Sequence, residues 1–89
     1  MPVVRFTPQL RRFTDTPEVD TTAATLGAAL AASFAVNPRL RGYVLDDQGH
    51  VRPNVAVFVD GRRCRDGQGL SDPLAPDSVV YVMQALSGG

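Results

Sequence analysis

There is no lysine in this sequence; all nine basic residues are arginine. A bias of that kind follows from a genome rich in G and C. It also excludes something: no internal side chain offers an amine to an acyl group, so the protein cannot build lysine-linked chains on itself. Cysteine is nearly absent too. Cys64 stands alone, which excludes an internal disulfide and leaves the redox compartment open. The formal net charge is +0, which removes the usual electrostatic case for nucleic acid or an anionic membrane. No apolar run approaches the ~20 residues of a membrane-spanning helix. The first residues, Met1-Pro2-Val3-Val4-Arg5, lack the basic-then-apolar layout of a signal peptide, so a cytoplasmic location is expected.

Catalytic constellations are missing as well. His50 has no second His or Cys with which to share a metal. Gly67-Gln68-Gly69 is too short to cradle a phosphate. Asp46-Asp47 reads as a solvated turn, and Cys64, set among Arg62, Arg63 and Arg65, as an ordinary small residue on a short strand. No bound cofactor, no metal and no catalytic residue is expected.

What remains is an 89-residue chain, 44% hydrophobic and 20% charged. That is one small domain with a single thin core. Pro2–Thr7 alternates, with Val4 and Phe6 on one face, and predicts a strand that Pro8 ends. Leu10 and Phe13 can plug the turn that follows, and a short strand near Glu18–Thr21 completes a hairpin. Thr22–Val36 predicts a helix. Leu26, Leu30 and Phe34 fall at i, i+4 and i+8, Thr22 or Thr25 can cap it, and Asn37-Pro38 closes it, Asn tolerating the left-handed conformation. Leu40–Leu45 reads as a short strand or extended segment, and Asp46–Gly49 as a turn. Val51–Val59 is the best strand. Asp60-Gly61 signals a two-residue turn, with Arg62–Arg65 pairing back. Asp66–Asp77 is a loop from which Leu70 and Leu74 dip inward, and Ser78–Ala85 is the last strand. One amphipathic helix needs a partner surface, which a mixed sheet of four or five strands supplies. The fold class is α+β, with the helix packed across one sheet face. Residues 1–85 are expected to form the domain and residues 86–89 a flexible tail.

That tail, Leu86-Ser87-Gly88-Gly89, draws the functional reading. Two glycines without Cβ can enter a narrow channel and take backbone angles closed to other residues. The remaining functional group is the Gly89 carboxylate. Strand alternation predicts where a partner would grip. Val80 and Val82 suit the core, with Val57 and Val59 beside them, so Tyr81, Met83 and Phe58 face outward. Together with Leu86 they form an apolar patch leading to the tail, and such patches mark partner sites. The opposite register would bury all three.

The element order with a terminal Gly-Gly resembles the β-grasp fold of ubiquitin and of the MoaD/ThiS sulfur carriers. The likeness continues through Pro38-Arg39-Leu40-Arg41, Asp47–Arg52, the strand and turn Asn54–Gly61, and Gly69–Leu74 followed by Asp77-Ser78-Val79. Asp60 stands where the family has Asn, Pro76 where a Gly is common, and Ser87 where Ala is frequent. The length and the helix-to-strand connection look more like the cysteine-biosynthesis carriers than the thiamine ones. The resemblance implies a protein co-substrate, not an enzyme. A partner similar to ubiquitin-activating enzymes would bind ATP and Mg and adenylate Gly89, and a sulfur donor would displace AMP to leave a thiocarboxylate. A second biosynthetic enzyme, making a cofactor such as molybdopterin or thiamine, or cysteine, would accept the sulfur. Two other outcomes stay open: a ubiquitin-like modifier conjugated through Gly89, and a β-grasp interaction domain with an inert tail.

Overall fold

The computed structural model describes residues 1–8, 14–16, 18–64 and 70–84. Leu10, Phe13 and the tail from residue 85 lie outside them. The elements run β1 (Val3–Phe6), β2 (Val19–Asp20), α1 (Leu26–Val36), α2 (Arg39–Val44), β3 (Val55–Val59), β4 (Arg62–Arg63) and β5 (Val79–Gln84). The strands form one five-stranded mixed sheet in the order β2-β1-β5-β3-β4. β1 and β5, the first and last strands, pair in parallel at its centre, and the other pairings are antiparallel.

Alternation decides the two sheet faces. Val4 and Phe6 of β1, Val55 and Val57 of β3, and Val80 and Val82 of β5 turn inward and are buried. Leu26, Ala29 and Leu30 of α1 cover them, and none of the three has exposed surface. Phe34 and Val59 are half-buried and pack against the same cluster. Among the described residues no helix is long and apolar enough to cross a membrane.

Three stretches depart from expectation. α1 starts at Leu26, not Thr22, because the preceding residues pair with a loop. Leu74 N–H donates to the Ala24 carbonyl, and Thr25 bridges to Pro73. Thr25 is the cap, its Oγ1 accepting from Ala28 N–H at 3.3 Å. The same loop completes that helix end: Leu26 N–H donates to the Asp72 carbonyl and Gly27 N–H to that of Leu70. Such amides have no partner inside the helix, and Leu70 takes up a φ of 55° in reaching them. At the other end Asn37 is extended, not left-handed, with φ −140° and ψ 99°. Its amide donates to Thr14 Oγ1 and to the Asp15 carbonyl, pinning the β1–β2 connection to the helix end.

The second correction concerns Leu40–Leu45, where the expected strand is the helix α2. Leu40 and Val44, both buried, share a face at a separation of four in either conformation. Gly42 separates the two readings: a strand would put it inward with them, whereas it is exposed. Leu45 then returns to extended geometry and bridges to Val51. The third correction shortens the expected strand Val51–Val59 to Val55–Val59. Pro53 carries no amide hydrogen for a ladder, and Val55 N–H closes a turn onto the Arg52 carbonyl.

One polar atom in the core is unsatisfied. Ser33 is fully buried on α1, and its hydroxyl has no hydrogen-bond partner among the described residues. Removing an unpaired buried hydroxyl relieves its desolvation, and alanine is the better helix former. Ser33→Ala is expected to stabilise the domain by about 1 kcal/mol, read as a raised urea midpoint at unchanged slope.

Candidate functional site: the open sheet face

The helices cover one side of the sheet, and the functional reading concerns the other. β5 is its middle strand, and register places the neighbours. Tyr81 lies opposite Phe58 of β3 and beside Arg5 of β1; Met83 lies opposite Ala56; Val79 lies beside Val3. Residues directly opposite across a ladder project to the same side. Phe58, Gly61, Val79, Tyr81 and Met83 line a shallow depression there. Tyr81 is 36% exposed and Met83 42%, while Phe58 is half-buried. Phe58, Tyr81 and Met83 are thus brought together. Leu86, Gly88 and Gly89 fall outside the described residues.

The turn bordering this face is built with care. Asp60 and Gly61 both have positive φ, 52° and 84°, the geometry of a tight two-residue hairpin. The Asp60 carboxylate accepts from Val79 N–H at 2.9 Å and from the Ser78 hydroxyl at 2.8 Å. Ser78 Oγ in turn accepts from Ala75 N–H at 2.8 Å, and Asp60 N–H donates to the Val79 carbonyl. This lattice fastens the β3–β4 turn to the start of β5. It gives Asp60 a role beyond forming the turn.

Both hydrogen bonds favour the ionised carboxyl. The Val79 amide, then the Ser78 hydroxyl, hold the Asp60 pKa below the ordinary carboxylate value. Asp46 is lowered in the same way, chiefly by the His50 amide and also by that of Gln48. A carboxyl depressed in the folded state stabilises above its unfolded pKa, and that contribution is lost as pH falls through the folded one. Acid destabilisation is therefore expected to extend below the ordinary carboxylate range. Asp60→Asn, which keeps an acceptor for Val79 N–H, should flatten that acid limb of a urea-midpoint profile against pH.

Charge on this face is uneven. Arg5, next to Tyr81, is paired with Glu18. Arg63 of β4 lies opposite Phe58 and is exposed, with no ion pair among the described residues. Asp20 of β2, opposite Val3, marks the far edge. The sequence offers the cluster Arg62, Arg63 and Arg65 either as a contact for acidic residues of a partner or as a solvated rim. It gives no sign that Arg5 and Asp20 share the face, since only pairing of distant strands sets them beside the patch. Cys64 is half-buried against the core. No group of three or more metal-ligating side chains occurs among the described residues.

The ThiS family model matches residues 4–89. The chain belongs to the ThiS family. These are ubiquitin-like sulfur carriers, small proteins that are generally not catalysts themselves. No curated protein matches the chain. Among solved structures, SAMP1 from Haloferax volcanii aligns with a TM-score of 0.77 at 24% identity, over 99% of this chain and 98% of that one. The BexX/CysO complex from Amycolatopsis orientalis contains a chain that aligns at 0.81 and 15% identity, over all of both chains. Urm1 from Trypanosoma brucei aligns at 0.66 and 20% identity, over 99% and 94%. These likenesses show the fold, the ubiquitin-like β-grasp that the element order implies. The family match extends across the sequence stretch that carries Gly88-Gly89.

Proposed function

We propose that this ThiS-family member carries sulfur on Gly89. The observation that carries the reading is the family match itself, which runs from residue 4 to residue 89 and so includes Gly88-Gly89. A partner adenylating enzyme supplies ATP and Mg. The Gly89 carboxylate, with an unperturbed pKa of about 3.5, is ionised at neutral pH and attacks the α-phosphorus of ATP, releasing pyrophosphate. The acyl-adenylate is an electrophile. A sulfide-equivalent donor adds at its carbonyl carbon and expels AMP, leaving the thiocarboxylate. A second enzyme takes the sulfur into a cofactor or into cysteine, and both encounters take place in the cytoplasm.

The chain's own part is presentation. Two residues without Cβ let the partner's walls close round the tail and exclude water, which would otherwise hydrolyse the adenylate. The patch of Phe58, Tyr81 and Met83, extended by Leu86, is the grip for both enzymes. Residues 1–85 form the body and residues 86–89 the delivered arm.

The test is intact mass spectrometry. Purified protein is incubated with the ThiS-type adenylating enzyme of its own genome, ATP, Mg and sulfide. A gain equal to the difference between a sulfur and an oxygen atom supports the reading. An unchanged mass, with isopeptide-linked adducts of Gly89 found in cells, would replace it with protein modification. Undiminished function after a residue is added beyond Gly89 would leave an interaction domain.

A further inference from the structure

The open face has too little area to hold a partner alone. The strands hold only two to six residues; at about 3.3 Å per residue and about 4.8 Å between strands, the face is on the order of 300 Å². A stable interface needs about 800 Å² on each side. A second copy would bring only the same face, so self-association is disfavoured. A partner that also takes the chain after Gln84 has contact area that a second copy's face does not offer.

The occupant must also dock one way round. The apolar centre of Phe58, Val79, Tyr81 and Met83 carries no direction of its own, while the tail leaves only from the Gln84 end of β5. Charge supplies the missing asymmetry. Arg5 is neutralised by Glu18. On the same face Asp20 marks the β2 edge and the exposed Arg63 the β4 edge. Arg62, by contrast, lies opposite Val59, whose cross-strand partner Val80 is buried, so it belongs to the other face. The open face thus has Asp20 at one edge and Arg63 at the other, where Arg63 also lines a depression with Asp60 and Asp72.

Resting on the carrier reading, we propose that Arg63 is a specificity-determining residue that orients the adenylating partner: a protein surface with an apolar centre and a carboxylate that meets Arg63 at the β4 edge. Docked the other way round, the partner's carboxylate would face Asp20, and the repulsion rejects that pose.

The test measures steady-state adenylation by the same enzyme, with the carrier as varied substrate. Arg63→Glu should raise KM for the carrier at least tenfold with kcat little changed, because the lost contact acts on encounter and not on the reacting carboxylate. Arg63→Gln should raise it about threefold, and added salt should shrink both effects. Arg39→Glu, an equal charge change at an exposed position of α2, should leave KM within twofold; coinciding melting curves establish that each variant folds. Wild-type KM for Arg63→Glu, or an equal rise for Arg39→Glu, overturns the assignment and leaves the carrier reading intact. A wild-type protein that is never adenylated defeats both. A concentration-dependent dimer in sedimentation, dissolved by Arg63→Glu, would give the face to a second copy instead.

Discussion

A chain lacking Gly89 is expected to show no sulfur-for-oxygen mass gain at all, with an unfolding curve that overlies that of the full-length protein. Deletion leaves a carboxylate, on Gly88, so charge and nucleophile are both kept. What changes is reach: the acid group is drawn back by about 3.5 Å, the span of one extended residue. Displacements as small as 1 Å from an attack geometry cost about 100-fold in rate, so this one removes the reaction. Gly88→Val probes the other requirement. It keeps the length but adds a branched side chain, stiff at χ1, where bare backbone must pass. A loss of at least about 100-fold is expected here also. Stability should be untouched, since a core of Val4, Leu26, Leu30, Leu40, Val57, Val80 and Val82 is already closed among the described residues. Should the truncated chain gain sulfur at the full rate, the working group is not at Gly89. Should it unfold early, the tail is part of the body.

The second large effect belongs to the body. Leu30 sits midway along α1, fully buried against the sheet. Leucine-to-alanine changes at such positions cost about 2–5 kcal/mol, from lost transfer energy plus the cavity left behind. A domain of this length has roughly 4–13 kcal/mol in all. α1 is an eleven-residue helix closing a thin core, and few neighbours can collapse into the space. Leu30→Ala is therefore expected to bring the domain to the edge of unfolding, seen as a urea midpoint lowered by a third or more. Adenylation by the partner should fall only in proportion to the folded fraction. The two variants thus separate body from arm: one removes chemistry and spares the fold, the other weakens the fold and spares the chemistry.

Much of this architecture was legible along the chain. Val4 and Phe6, Val55 and Val57, and Val80 and Val82 announce three inward faces by alternation alone, because a strand's side chains change sides at every residue. Leu26 and Leu30 announce the helix stripe, and Asp60-Gly61 the turn, because few residues accept positive φ. The orientation of Tyr81 and Met83 followed from that same local rule. The errors lie where local rules agree with two answers or are overridden at a distance. Leu40 and Val44 fit strand and helix equally, and only the exposure of Gly42 separates them. Thr22–Ala24 have helical composition, yet the helix waits for Leu26 because Ala24 and Thr25 pair with Leu74 and Pro73.

From its own order of residues, then, the chain determined its strands, its main helix, the apolar centre of the open face and the glycine pair that the family match includes. Each is written in side-chain periods of two or four, or in the plain absence of a Cβ. Tertiary structure alone decided that the first and last strands lie side by side, that Arg5 meets Glu18 beside Tyr81, and that Arg63 borders Phe58 with no ion pair among the described residues. It also decided that the 70–74 loop caps the helix. These contacts join residues far apart in the chain, and no local spacing encodes which distant edges meet.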